Sequence, residues 1–224
     1  MKGKEARLSV LNSARLYAIL DGSYLSDDRS FQAKVGELLS GGVRVFQLRL
    51  KGANRERVER LCALLSPEIK ASGGIFILND YVEWACDLPV DGVHVGQDDM
   101  PVDLVREMLG RDAIIGLSTH NLEQVRGARD KAVDYIGFGP IFATETKPDY
   151  LPIGLECIGE AKRIISARPV FCIGGINLER LPSVLEAGGE RVVMVSALLL
   201  SDDSALNAQR VIRMIGDFGE RCRR

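Results

Sequence analysis

The sequence predicts a single (β/α)₈ TIM barrel with a short N-terminal extension. Three observations lead there. Eight short apolar or β-branched runs alternate with eight longer stretches of helical period, the alternation continues to the end of the chain, and polar residues gather directly after the apolar runs. Short strands alternating with amphipathic helices build βα units around a parallel sheet. Fitting eight of each into 224 residues favours closure into a barrel, because a doubly wound sheet usually shows roughly five or six strands.

Residues 1–15 form the extension, and a short helix or a strap across the bottom of the barrel both fit them. The barrel then occupies 16–224. Its first strand, Leu16–Leu20, is followed by a helix at Phe31–Leu39, and its second, Val43–Leu48, by Arg55–Ala71. The third and fourth strands, Ile75–Leu78 and Gly92–Val95, precede helices at Val82–Asp87 and Val102–Leu109. Ile114–Leu117 and Tyr135–Phe138 come next, the former leading to Leu122–Asp130 and the latter to Leu155–Ala167. Val170–Ile173 with Leu181–Ala187, then Arg191–Val195 with Ala205–Phe218, complete the ring. Each helical stretch sets charged positions opposite apolar ones, as an outer layer requires. The longest irregular stretch, Gly139–Gly154 with Pro140, Pro148 and Pro152, follows the sixth strand, where an active-site loop would sit.

Composition narrows the function. With 46% apolar residues the chain can bury a large core. A net charge of −2 gives no basic face for nucleic acid, so any anion site must be local. No run suits a membrane span or a signal peptide, and the protein reads as cytoplasmic, with no membrane partner. The five cysteines lack any Cys-x-x-Cys pair and are odd in number, which suggests reduced structural thiols. A homo-oligomer is compatible with all of this.

In a barrel of this type the chemistry sits at the C-terminal ends of the strands. The second strand ends Gln47-Leu48-Arg49-Leu50-Lys51, whose period of two puts Gln47, Arg49 and Lys51 on one face. Asn79-Asp80 follows the third strand, Gln97-Asp98-Asp99 the fourth, Ser118-Thr119-His120 the fifth, Thr144-Glu145-Thr146-Lys147 the sixth, Gly174-Gly175 the seventh and Ser196 the eighth. Singly, these read as solvated charges, helix caps and tight turns. Their arrival at one rim points instead to a site.

Asp80 and Asp99 lie one βα unit apart. Two carboxylates about 4 Å apart repel by roughly 4 kcal/mol at an effective dielectric near 20, and a divalent cation would reverse that. Oxygen donors without histidine or cysteine suit Mg²⁺, with Asp98 competing for the second position. Arg49, Lys51 and Lys147 could bind a diphosphate. Gly174-Gly175 and Val195-Ser196 offer the backbone amides of the phosphate site common after the last two strands. His94 is expected to be a hydrogen-bonded inner residue, His120 a helix-start residue or a proton carrier, and Tyr81 and Trp84 packing residues of the short third helix.

Gln47-x-Arg49-x-Lys51, Asn79-Asp80, Asp91-Gly92-Val93-His94-Val95-Gly96-Gln97-Asp98-Asp99, Gly116-Leu117-Ser118, Gly137-Phe138-Gly139-Pro140-Ile141-Phe142, Thr144-x-Thr146-Lys147, Gly174-Gly175-Ile176 and Val195-Ser196-Ala197 together resemble the thiamine-phosphate synthase family. The resemblance implies a barrel enzyme with one Mg²⁺ per subunit. It would condense 4-amino-2-methyl-5-hydroxymethylpyrimidine diphosphate with carboxylated thiazole phosphate, giving thiamine phosphate, diphosphate and CO₂.

The resemblance further implies that Asp80 and Asp99 hold the metal and that Gln47, Leu48, Arg49, Leu50, Lys51, Asn79, Ser118 and Lys147 bind the pyrimidine diphosphate. Arg49, Lys51, Ser118 and Lys147 would be catalytic, and Thr144, Glu145, Thr146, Gly175, Val195 and Ser196 would surround the thiazole phosphate. Leu50 departs from the family, which commonly has an acidic residue there. A packing change is expected, with the support of Arg49 in question. The related thiazole tautomerase shares the Ser-x-His stretch and would use His120, but it typically lacks the second metal aspartate and the full Thr-x-Thr-Lys motif. A non-catalytic barrel that binds thiamine precursors would not need a complete metal site.

Overall fold

The computed structural model describes residues 3–144 and 151–223. Its eight strands are β1 (Leu16–Asp21), β2 (Val45–Arg49), β3 (Ile75–Asn79), β4 (Gly92–Val95), β5 (Ile114–Thr119), β6 (Tyr135–Phe138), β7 (Val170–Cys172) and β8 (Val192–Met194). Each pairs in parallel with the next, and β8 returns to β1 with Leu16 opposite Val192, so the sheet closes into a barrel. Closure removes every sheet edge and leaves two ends of different chemistry.

The helices among the described residues are α1 (Lys4–Ser13), α2 (Asp28–Ser40), α3 (Arg55–Ala71), α4 (Val82–Ala85), α5 (Val102–Leu109), α6 (Leu122–Arg129), α7 (Ile158–Ile165), α8 (Leu181–Glu186), α9 (Ser196–Leu199) and α10 (Ser204–Arg221). None is long and apolar enough to cross a membrane. Four starts have local causes in the chain, that of α10 through Asp203, whose side chain accepts the Leu206 N–H at 2.8 Å. The side chains of Asp27, Asn54 and Asn121 accept the backbone N–H three residues on, which satisfies an orphan donor of α2, α3 and α6.

Some boundaries differ from the expected ones. The helix expected over Val82–Asp87 closes at Ala85, three residues before Leu88-Pro89, and a proline cannot extend a helix. The one expected over Leu155–Ala167 is shorter, running from Ile158 to Ile165, and Ser166 stops it at φ 46°. The eighth unit carries two helices, because α9 starts directly at Ser196 before the expected terminal helix, α10.

The extension is a helix. α1 crosses the N-terminal end of the barrel, where Leu11 is fully buried against Tyr17, Val45, Ile75 and Ile114. Two aspartates clamp that end. Asp91 accepts the Phe76 N–H at 2.9 Å and pairs with Arg7 of α1 at 3.4 Å. Asp134 accepts the Ile115 N–H at 2.8 Å and meets Arg106 and Lys4 at 2.8 and 2.9 Å. Closing one end in this way leaves the opposite end as the mouth of the barrel interior.

Two apolar layers follow from strand alternation. Phe46, Leu48, Phe76, Leu78, Val93 and Val95 pack outward against the helices, while Tyr17, Ile19, Val45, Ile77, Tyr135 and Phe171 fill the interior.

Candidate active site

Above the interior aromatic layer, the barrel opens into a cavity at the C-terminal ends of its strands. Gln47, Arg49, Asn79, His94, Ser118, His120 and Thr144 line it from β2 to the loop after β6, and Gly174, Gly175, Val195 and Ser196 line it after β7 and β8. Tyr17, Tyr135 and Phe171 meet edge to face beneath it, with ring centroids 5.4 to 5.9 Å apart. Of the polar residues expected at one rim, Gln47, Arg49, Asn79, Ser118, His120, Thr144 and Ser196 reach this cavity.

The 47–51 segment divides between two environments. Gln47 and Arg49 face the cavity, whereas Leu48 and Leu50 are buried in the outer layer, so their side chains cannot meet a ligand there. Arg49 Nη1 donates to Asp21 Oδ2 at 2.5 Å. Asp21 is only 2% exposed and also accepts from Ser23 N and Oγ at 2.9 and 2.8 Å. It is the cross-strand partner of Arg49 in the β1–β2 register. Sequence reasoning missed it by ending the first strand at Leu20. A polar residue at that strand end was the available signal. The support of Arg49 that Leu50 put in question comes from β1, and Leu50 itself packs as expected.

Lys51 lies just beyond β2, exposed, and its Nζ pairs with Asp80 Oδ2. Asp80 follows β3 with φ 62°, its N–H held by the His94 carbonyl at 3.0 Å. Asp99 Oδ2 accepts the Gly96 N–H at 2.7 Å, which fixes its carboxylate at the end of β4. Both aspartates wall one groove with Tyr81, Trp84 and Met100; Asp98 is not part of that wall. Burial pushes the Asp80 carboxyl above its usual range, the Lys51 ammonium opposes the shift, and the Asp99 carboxylate adds to it.

Two carboxylates walling one groove gather negative charge, which Lys51 already offsets in part and a divalent cation would offset further. Both side chains offer only oxygen donors, the donor type that a hard cation such as Mg²⁺ takes, so the residues present would suit one. No group of three or more histidine, cysteine, aspartate or glutamate side chains converges among the described residues, so a protein-only cage is not built there.

Tyr81 and Trp84 stack at 4.2 Å, and Tyr81 Oη donates to the Leu50 carbonyl at 2.6 Å, tying the loops after β2 and β3 together. Their expected packing role holds, although Tyr81 precedes α4, at φ 25°, and does not lie on it. His94 is 8% exposed, as expected of an inner residue, and it also lines the cavity. His120 Nδ1 is 2.6 Å from the Gly139 carbonyl, an arrangement that holds the ring at the cavity wall.

Across the mouth, Gly174 and Gly175 adopt φ values of 100° and 62°. A Cβ on Gly175 would stand 2.6 Å from the Ala143 carbonyl oxygen, and one on Gly174 would stand 2.4 Å from Pro140 Cβ. Glycine is therefore required by both conformation and space. The Ile141 and Phe142 N–H groups donate to the Ile173 and Gly174 carbonyls at 2.8 and 3.1 Å, which seats the loop leading to Thr144 against this turn. Arg180 Nη1 donates to the Gly175 carbonyl at 2.9 Å while its guanidinium lies 5.1 Å from the Phe142 ring centroid. Arg180 was not singled out in the sequence; nothing in its spacing marks it. Ser196 opens α9 at the same rim. Glu145, Thr146 and Lys147 lie outside the described residues.

A family model described as thiamine monophosphate synthase matches residues 16–198. A thiamine-phosphate synthase of Halalkalibacterium halodurans is 40% identical over 190 residues, covering 84% of this chain and 89% of the relative. One of Synechococcus sp. (strain CC9605) is 39% identical over 183 residues, 81% of this chain, which spans about half (51%) of that relative. Among solved structures, thiamine phosphate pyrophosphorylase from Pyrococcus furiosus superposes with a TM-score of 0.82 at 28% identity, covering 94% of this chain and 98% of its own. With the match running from β1 into α9 and the shared barrel carrying these residues at its mouth, the chain belongs to the thiamine monophosphate synthase family.

Proposed function

We propose that this chain is a Mg²⁺-dependent thiamine-phosphate synthase that joins 4-amino-2-methyl-5-hydroxymethylpyrimidine diphosphate to carboxylated thiazole phosphate by a dissociative route. The observation that carries the reading is the sharing of one rim by the Asp80–Asp99 pair, the cations Arg49 and Lys51, and the Gly174–Gly175 turn with Ser196.

In this reading the pyrimidine diphosphate lies with its phosphates toward Arg49 and Lys51 and its ring against Gln47, Asn79 and Ser118. Lys147 joins the cations on the strength of the family motif. Asp80 and Asp99 would hold Mg²⁺, which supplies positive charge to the diphosphate oxygens when bound. The methylene C–O bond breaks with its electron pair going to the diphosphate. Arg49, Lys51 and Lys147 offset the charge that gathers on the leaving group. The pyrimidine amino group stabilises the cation left behind, and the thiazole nitrogen donates its lone pair to form the new C–N bond. The ring then loses CO₂, the electrons of the broken C–C bond stay on the thiazole-derived ring system, and a proton taken up from solvent completes thiamine phosphate. Backbone amides of the Gly174–Ile176 turn and of Val195–Ser196 hold the thiazole phosphate meanwhile. No protein nucleophile takes part.

Diphosphate release from purified protein tests the reading. A synthase requires both substrates together with Mg²⁺, a tautomerase changes the thiazole alone, and a sensor does neither. Asp99→Ala is expected to remain folded and lose most turnover. Full activity of that variant at ordinary Mg²⁺ would remove the metal assignment.

A further inference from the structure

Beneath the cavity, five side chains from five strands form a continuous hydrogen-bonded chain. Gln47 Nε2 donates to Tyr17 Oη at 2.7 Å; Tyr17 Oη lies 2.9 Å from Tyr135 Oη; Tyr135 Oη lies 3.0 Å from His94 Nδ1; His94 Nε2 lies 2.9 Å from Ser118 Oγ. Tyr17 and Tyr135 are at most 1% exposed, and Gln47 and His94 at most 8%. Space for the chain is made by Gly116, where a Cβ would stand 2.1 Å from the Tyr135 ring and 2.5 Å from His94 Nδ1.

The hydrogens in such a chain can run in only two senses. Each hydroxyl carries one hydrogen, so the donor at one end decides every link that follows. Because the Gln47 amide donates to Tyr17, the Tyr17 hydroxyl directs its hydrogen to Tyr135, and Tyr135 directs its own to His94 Nδ1. Were Tyr135 to donate to Tyr17 instead, the Tyr17 hydroxyl would accept twice and leave its own hydrogen buried without an acceptor, at a cost of about 1–3 kcal/mol. Burial also pushes both phenols far above their usual range, Tyr135 further by its neighbour Tyr17, so neither acts as an anionic acceptor.

We propose that Tyr17, Tyr135 and His94 are positioning residues that relay the orientation of the Gln47 amide to Ser118, holding His94 as the neutral Nε2–H tautomer and presenting the Ser118 hydroxyl to the cavity as a hydrogen-bond donor. Ser118 then selects an acceptor atom on the ligand. The two ends of the chain, Gln47 and Ser118, both line the cavity, so the relay couples two contacts to the same ligand. The consequence for substrate rests on the synthase reading above; the tautomer does not.

The chain has two histidines, His94 and His120, so long-range ¹H–¹⁵N correlation of the imidazoles resolves both in the intact protein. His120, facing the Gly139 carbonyl through Nδ1, is expected as the opposite tautomer and serves as an internal reference. At neutral pH His94 is expected as Nε2–H. An Nδ1–H or doubly protonated ring overturns the proposal, because in either state Nδ1 carries a hydrogen and cannot accept from Tyr135. Tyr135→Phe removes the middle link; Tyr17→Phe separates it from Gln47. In both, the Nε2–H population of His94 is expected to fall, and KM for the pyrimidine diphosphate to rise about tenfold with a smaller change in kcat, as loss of one oriented hydrogen bond would give. An unchanged tautomer in both folded variants overturns the relay. If the tautomer behaves as stated but no diphosphate is released by the parent protein, the synthase reading fails and the relay stands.

Discussion

Substituting Asp21 by asparagine keeps the size of the side chain and removes the charge that holds Arg49. In the parent the pair is 2.5 Å apart, with side-chain exposures of 2% for Asp21 and 13% for Arg49. Breaking a fully buried pair from one side costs about 3–5 kcal/mol, and an exposed pair is worth about 0–1. Arg49 opens on the cavity and water can solvate it, while the amide introduced by Asp21→Asn retains an acceptor for Ser23, so the stability loss is placed between, at about 2 kcal/mol. For a chain of this size that corresponds to a fall in Tm of roughly 4–8 °C.

The kinetic effect should be larger in relative terms. An unanchored guanidinium loses a charge-assisted contact worth about 1.5–3 kcal/mol, a drop of roughly 10- to 100-fold in kcat/KM for the pyrimidine diphosphate. Because Asp21 acts through Arg49, the loss should vanish when Asp21→Asn is added to Arg49→Gln, and a double-mutant cycle of kcat/KM measures this. A variant within twofold of the parent, or an equal loss with and without Arg49, refutes the argument.

Two further outcomes are expected. Gly175→Ala forces a Cβ to within 2.6 Å of the Ala143 oxygen at φ 62°, and should raise KM for the thiazole phosphate about tenfold or more while leaving KM for the other substrate within twofold, read by varying each substrate separately. Without metal, the raised Asp80 carboxyl means that the folded state holds this proton more tightly than the unfolded chain. Its contribution is therefore fully present below the ordinary carboxylate pKa and is lost as pH rises through the raised one. Thermal melts should show Asp80→Asn more stable than the parent at neutral pH in the absence of Mg²⁺, and the difference should reverse when Mg²⁺ is added. A parent melt insensitive to Mg²⁺ would contradict the cation site.

The barrel was legible because its determinants are local and periodic. Alternation at β2 told Gln47 and Arg49 from Leu48 and Leu50, and charged positions opposite apolar ones marked the outer helices. Since every strand of a parallel barrel points the same way, a polar residue after an apolar run had to reach the common mouth, which located Asp80, Asp99, Ser118, Gly175 and Ser196 from the chain alone. Asp21 escaped because a strand's last residue is set by its neighbour's register, which the sequence of one strand does not contain.

What only the tertiary structure decided was the partnership of groups far apart in the chain. Asp21 meets Arg49 across 28 positions, His94 meets Tyr135 across 41, and Tyr17 meets Tyr135 across 118. Hydrophobic periodicity chooses which face a side chain takes, a short-range property with a period of two or 3.6 residues. Which of several buried polar groups then touch depends on strand order and stagger around the closed sheet, and these are fixed by packing of the whole molecule.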